Sequence, residues 1–351
     1  MVFSRKKFNT VKAAACGFIS LWFLLLAACT SLPPAFKSVK SMGIEKETLR
    51  GLVFQSDDYI VYRLTGNETT AMLAAAYLGD SRIAWAIEDE NMGIPFQKGQ
   101  RIVIPLKDPK NGGLSTDGYQ VVPILCYHRF REKCNTPLCI SKDAFERQMA
   151  YLKANGYRVI TLKDFSDFIH ERREIPDRSV VISFDDGYQS FYEIAYPILK
   201  KFDFKATLFV YTDFIGNGKN ALNWKQLREL KAQGFEIGSH SVSHSDLTKQ
   251  EKGESDGAYL ERINNEIIRS KAIIDDRLDQ DTIYMAFPYG RYNSKILRLC
   301  KQAGYTLGFT VKSGSNPFFA DPMILKRTQI LKTNLEYFIS RLNTFHRLSF
   351  E

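Results

Sequence analysis

Histidine is scarce in this chain: His128, His170, His240, His244 and His346 are the only five in 351 residues. Any site built on imidazole therefore has few candidates. The formal charge of +9 looks basic, but Arg5, Lys6, Lys7 and Lys12 carry four of those charges, leaving a mild +5 for the rest. There is no basic cluster of nucleic-acid type, so nucleic acid is excluded as a partner, while the mild excess suits approach to anionic envelope polymers. No internal repeat or low-complexity tract marks a solenoid or an array. The apolar run from Phe18 to Leu26 is short for a membrane span.

That run follows a basic start, Arg5-Lys6-Lys7, and ends in Leu26-Ala27-Ala28-Cys29. This is the pattern of an export signal. LAAC resembles a bacterial lipobox, which implies cleavage after residue 28 and lipid on Cys29, holding the mature chain to a membrane. A plain signal or an uncleaved anchor is the alternative. Thr30 after the cysteine resembles the signal for outer-membrane sorting, facing the periplasm. Of the six cysteines, Cys16 and Cys29 belong to this segment. Cys134 and Cys139 flank a short loop and are expected to close a disulfide in an oxidising compartment. Cys126 and Cys300 read as buried core thiols.

The chain carries its chemistry in two short stretches. Val180-Val181-Ile182 leads into Ser183-Phe184-Asp185-Asp186-Gly187, which places two carboxylates at the end of a buried strand. Neighbours on a strand point in opposite directions, so one Asp is free to hold a metal while the other faces water or substrate. A DD pair alone is common on surfaces. The second stretch, His240-Ser241-Val242-Ser243-His244, follows another strand pattern. On a helical turn, residues four apart share a face. Two imidazoles so placed, with Asp186, form a 2-His-1-carboxylate set that leaves positions open on a metal. His128 ends a third apolar strand, Val121 to Tyr127, whereas His170 and His346 lie in charged, helix-like stretches and read as surface residues.

From Val121 onward, apolar strands alternate with helical patterns, as in a parallel α/β sheet or barrel. Residues 118–345 resemble the NodB-type polysaccharide deacetylase family. SFDDG at 183–187 matches its first motif and HSVSH at 240–244 its second, while Phe287-Pro288-Tyr289-Gly290 resembles its third. The resemblance implies a distorted (β/α) barrel with its site at the strand carboxyl ends. It implies Asp185 as general base, Asp186, His240 and His244 as ligands of a divalent metal (zinc first, with Ni, Co or Fe as alternatives), and the Tyr289 N–H as oxyanion donor. The motif arginine is replaced by Ala286, and no late LxH appears. The chain is similar here to the circularly permuted branch that includes poly-N-acetylglucosamine deacetylases, which brings the general acid forward to His128. Arg327, in the late strand 324–328, is the candidate to orient Asp185; its other reading is a surface cation.

Residues 57–107 resemble a LysM module, a small βααβ glycan binder. The resemblance rests on Gly66-Asn67-Glu68-Thr69, Trp85-Ala86-Ile87, Asn91, Gly99 and Pro105. The alternative is a structural cap or spacer. The expected order is a lipoprotein signal (1–28), a tether (29–56), this module (57–107), a linker (108–117) and the deacetylase domain (118–345). The leading functional expectation is metal-dependent N-deacetylation of an N-acetylglucosamine polymer, either peptidoglycan or an exopolysaccharide. A glycosidase would need two separated acids flanking the bond, and adjacent Asp185 and Asp186 do not straddle a sugar easily. The competing expectations are a non-catalytic, glycan-binding envelope lipoprotein and a hydrolase of small amides. Tyr188, Trp224, Tyr289 and Tyr292 are candidate sugar platforms, although aromatics more often serve cores.

Overall fold

Alternation along the strands decides which side chains enter the site. A computed structural model describes residues 50–106, 113–115, 118–134, 136–170, 172–343 and 347–349. The signal, Cys29 and His346 lie outside the described residues. Six parallel strands form the main sheet: β4 (Gly118–Tyr127), β5 (Ser179–Asp186), β6 (Thr207–Val210), β7 (Glu236–Ser239), β8 (Tyr284–Ala286) and β9 (Leu307–Phe309), in spatial order β9-β8-β7-β6-β5-β4. The sheet curls, and residues 325–329 bridge its two ends. Leu325 pairs with Phe309 of β9, while Thr328 and Gln329 pair with Leu125 and Cys126 of β4. The result is a curled α/β barrel, one of the two architectures the alternation allowed and the one the family resemblance implied.

Along β5, Val180, Ile182 and Phe184 join the core beneath the helices, whereas Val181 joins the barrel interior. Period-two geometry therefore sends Ser183 and Asp185 inward as well. The same holds on β4: Leu125 and Tyr127 face the helices, Val122 and Ile124 face the interior, and Cys126 follows them inward. The covering helices include α3 (Lys142–Ala154), α4 (Leu162–Ile169), α5 (Trp224–Ala232), α6 (Asp256–Leu278) and α7 (Ser294–Gln302). Their starts are set by local chemistry: Thr161 with Asp164, and Asn223 with Gln226, form reciprocal capping boxes at α4 and α5. Cys134 and Cys139 are bonded, as the export reading expected, and Cys126 and Cys300 are free and buried. Among the described residues no helix is long and apolar enough to cross a membrane.

The amino-terminal module is a three-stranded antiparallel sheet, β1 (Leu52–Gln55), β2 (Tyr59–Arg63) and β3 (Arg101–Pro105), with short helices α1 (Thr70–Leu73) and α2 (Ala84–Glu90) between the last two strands. β1 lies in the stretch read as tether. All four of its residues are exposed, so it has no buried-face alternation to betray it, and only its pairing with β2 defines it. Buried Asn91 fastens α2 to β3: its amide donates to the carbonyls of Ile87 (2.6 Å) and Val103 (2.7 Å) and accepts the Val103 N–H (2.8 Å).

Candidate active site

The two aspartates part company through the backbone. Asp185 sits in the ladder beside Phe209, but Asp186 has φ 76° and Gly187 φ 84°. The positive φ favours glycine at 187, and a Cβ there would also press on the Ile215 and Val210 side chains, at 2.6 and 3.1 Å. Asp186 is the last residue of β5, in register with Val210, and its left-handed backbone turns the chain there, while Asp185 points inside the barrel.

The structure brings Asp186, His240 and His244 together, with their ligand atoms within 4.8 Å of one another. His240 Nδ1–H donates to the Ala286 carbonyl (2.7 Å), which turns Nε2 toward Asp186 Oδ1 at 3.7 Å and Asp185 Oδ2 at 3.8 Å. His244 Nε2 lies 3.4 Å from Asp186 Oδ1, its ring between those of Tyr211 and Tyr289 at centroid distances of 5.4 and 4.7 Å. The imidazoles do not converge by helical spacing, contrary to the sequence expectation. Residues 240–245 form an irregular loop in which Ser241 (φ 72°) and His244 (φ 61°) are left-handed. Such conformations are costly for non-glycine residues and persist only where the surroundings hold them. Glu266 of α6 does much of that holding. Its carboxylate accepts the N–H groups of Val242 and Ser243 (both 2.9 Å) and the Ser243 hydroxyl (2.6 Å).

The donor set fits a divalent cation. Burial lowers His240 to about 4, and lowers His244, so both rings are neutral at pH 7 with Nε2 lone pairs available. Burial, with Asp185 alongside, raises Asp186 to about 6, a charge that a cation would stabilise. Two neutral imidazoles and one carboxylate are ligands suited to zinc-like ions, and the carbonyl behind His240 is the usual orienting partner.

Arg327 is the second organising feature. It is 0% exposed, on the segment that closes the barrel, and grips Asp185 with two hydrogen bonds: Nη1 to Oδ1 (2.6 Å) and Nη2 to Oδ2 (2.7 Å). Its Nε–H donates to the Thr310 carbonyl (3.0 Å). The surface-cation reading is thereby overturned. The position of the absent motif arginine, Ala286, instead serves His240 through its carbonyl. Burial alone would raise the Asp185 carboxyl, but Arg327, with His240 and His128, holds it well below the usual carboxylate range. His128 Nε2 stands 4.0 Å from Asp185 Oδ2, and burial lowers its pKa against the pull of the two aspartates.

Cys126 is buried, as read, but it also touches the site: its S–H donates to Asp185 Oδ2 (3.4 Å). The signal for this was its i, i+2 relation to His128 at the end of β4. Glu266 had no such signal beyond a carboxylate on the buried face of a long helix. Tyr289 has φ 58°, its side chain is exposed, and its N–H donates to no carbonyl or side chain among the described residues. Of the proposed aromatic platforms, Trp224 packs against the main core, whereas Tyr292 is exposed and Tyr188 half-buried. His170 is half-buried at the end of α4, bonded to the Ser166 carbonyl, and takes no part.

Comparison with known proteins agrees with this geometry. The family profile described as polysaccharide deacetylase matches residues 172–308, which span Asp185, Asp186, His240, His244 and Tyr289. Poly-beta-1,6-N-acetyl-D-glucosamine N-deacetylase of Staphylococcus aureus (strain MRSA252) is 29% identical over 212 residues, covering 59% of this chain and 73% of that protein. The solved structure of the Streptococcus pyogenes deacetylase PplD in complex with acetate superposes with a TM-score of 0.57 at 29% identity, covering 63% of this chain and 98% of that one. YxkH of Bacillus subtilis (strain 168), whose name places it among the polysaccharide deacetylases, is 32% identical over 209 residues, covering 60% of this chain and 71% of its own. With that identity sustained across more than two thirds of a relative, this chain belongs to the polysaccharide deacetylase family.

Proposed function

We propose that the chain hydrolyses N-acetyl groups from an N-acetylglucosamine-containing cell-envelope or extracellular polysaccharide, releasing acetate and leaving free amines. The observation that carries this reading is the pairing of functions at one point: an ionised Asp185 oriented by Arg327, 4.0 Å from His128 and beside the Asp186, His240 and His244 cluster. The name of the Staphylococcus aureus relative and the acetate bound by the Streptococcus pyogenes relative support the same substrate and product.

Asp186, His240 and His244 would hold the cation, with zinc the best match to the donors and Ni, Co or Fe as alternatives. A cation there would acidify water, from a pKa of ~15.7 toward ~7, and polarise the acetyl carbonyl. The chain's own residues supply the rest. Asp185 accepts a proton from the attacking water. The Tyr289 N–H faces the oxyanion; loss of one such donor typically costs about 2.7–4 kcal/mol. His128, neutral at rest because it is buried, receives the proton from Asp185 Oδ2 and delivers it to the departing nitrogen as the C–N bond breaks. Water thus contributes its hydroxyl to acetate and its proton to the amine.

Acetate release from a chitooligosaccharide, with and without chelator, tests this reading. Asp185→Asn should keep its metal and lose about 10²–10⁴-fold in rate. Turnover at the normal rate in that variant would remove Asp185 from the mechanism, and glycan binding without any acetate release would favour the non-catalytic alternative. The same proposal takes residues 57–107 as a glycan-binding LysM-like unit and Cys29 as a lipid anchor at the outer membrane, facing the periplasm. Cys29→Ser should then release the protein from the membrane fraction.

A further inference from the structure

The module meets the barrel along one seam, and that seam lies at the end of the strands opposite to the catalytic acids. Trp85 of α2 is only 8% exposed, yet it is absent from the module's own apolar cluster, which is built on Ile60, Tyr62, Leu73, Ile87 and Ile104. It lines instead a cleft shared with Tyr157, Val159, Ile160 and Ile175 of the barrel. Opposite charges alternate around it. Arg158 of the barrel binds Glu88 (2.5 Å) and Asp89 (3.0 Å) at the end of α2. Arg82 of the module reaches Asp164 (3.1 Å) and Asp167 (3.2 Å) on α4, and Arg173 joins Asp80 to Asp164. An exposed ion pair contributes little, and Arg158 at 37% exposure is such a case, but the side chains of Arg173 (11%), Asp167 (12%) and Asp164 (17%) are largely covered. An aromatic anchor ringed by arginine pairs is the usual make-up of the few residues that dominate an interface.

The seam's position follows from register. Arg158 pairs with Ser179, the first residue of β5. Asp185 lies near the other end of that strand, about 20 Å away at ~3.3 Å per residue. The start of α4 is held by Glu236, the first residue of β7, whose last residue precedes His240. Both barrel elements that receive the module therefore sit at the amino ends of strands whose carboxyl ends bear the site.

We propose that the foot of the barrel is a docking surface built for this module, so that the two move as one body. The module is then a fixed handle below the catalytic face, neither a lid over it nor a flexible arm that feeds it. Loosely joined domains are the ordinary expectation for a two-part chain, so docking has distinct consequences.

Calorimetry and limited proteolysis of the full mature chain test the proposal. The native protein should unfold in one transition and resist trypsin at the seam arginines Arg82, Arg158 and Arg173. Trp85→Ala should split the transition and speed that cleavage by about ten-fold or more, as loss of a dominant interface anchor requires. Arg158→Glu should act the same way, and Glu88→Arg with Asp89→Arg added to it should restore the native behaviour by reversing both pairs; these variants decide the matter if Trp85→Ala fails to fold. Acetate release from a short chitooligosaccharide should stay within about two-fold in every variant whose barrel transition is intact, since each altered residue is far from the site. Two independent transitions in the native protein, or variants indistinguishable from it, would overturn the docking. A collapse of oligosaccharide turnover in an otherwise folded, undocked variant would overturn the handle and make the module part of the site. None of the unfolding or proteolysis results depends on the proposed activity.

Discussion

Replacing Arg327 by methionine removes a buried charge while keeping much of the side-chain volume. Arg327 and Asp185 are 0% and 2% exposed, so the carboxylate loses its guanidinium partner while remaining buried. Breaking a buried pair from one side costs about 3–5 kcal/mol. At about 2–4 °C per kcal/mol for a domain of this size, Arg327→Met should melt roughly 6–20 °C below the native protein. Asp185→Asn with Arg327→Met removes both charges, and replacing a whole buried pair is often neutral. The Thr310 carbonyl would still lose its Nε–H donor, an unmade hydrogen bond worth about 1–3 kcal/mol. The double variant should therefore sit between Arg327→Met and the native protein. The pH dependence has a definite sign. Without Arg327, burial raises the folded-state pKa of Asp185 above its unfolded value, so the folded form holds a proton that the unfolded form releases. That stabilises the fold at low pH and is lost as pH rises, and the deficit of Arg327→Met should be larger at pH 7 than at pH 4.5. Thermal unfolding of the native protein, Arg327→Met, Asp185→Asn and the double variant at both pH values is the assay. An Arg327→Met variant as stable as the native protein, or a double variant whose losses simply add, would refute the idea that the pair is a coupled, buried unit.

Two further perturbations probe the supports of the site and of the module. Glu266→Gln leaves only one acceptor oxygen for three donors, Val242 N–H, Ser243 N–H and the Ser243 hydroxyl, so the left-handed loop should loosen and cation affinity fall by about ten-fold or more, measured by dialysis and metal analysis. Unchanged affinity would show that the loop holds its shape without Glu266. In the module, Glu68 opposes its partial burial with hydrogen bonds from the hydroxyls of Thr65 (2.6 Å) and Tyr62 (2.8 Å), which lower it from 4.5 to about 2. Its stabilising contribution is complete above pH 4.5 and disappears as pH falls toward 2. The stability gap between the native protein and Glu68→Gln should close over that window; a gap independent of pH would dismiss the ionised carboxylate as its source.

How legible the site was depended on whether its parts lie in one stretch of chain. Asp185 and Asp186 announce themselves because an apolar strand and a glycine turn adjoin them, and His240 and His244 because histidine is so rare here. What the chain concealed is how the imidazoles meet. Ser241 and His244 adopt conformations usually left to glycine, and nothing in HSVSH signals that; the cause lies at Glu266, on a helix more than 20 residues further on. β1 was hidden for the opposite reason, since an exposed edge strand has no inward face to pattern.

Arg327 shows the same principle at greater range. Its candidacy came from an absence at Ala286, but its burial is decided by topology. The segment 325–329 must bridge β9 and β4 for the barrel to close, and a residue on that bridge faces the interior beside Asp185. A guanidinium placed there keeps the Asp185 carboxylate ionised and fixed in direction from any strand that reaches the interior, so its position in the chain is free to vary while its geometry is not. His240 also needs a partner, and the Ala286 carbonyl provides it without a side chain. The chemistry therefore constrains two contacts at this end of the barrel, one to a carboxylate and one to an imidazole, and backbone and side chain can divide them in more than one way.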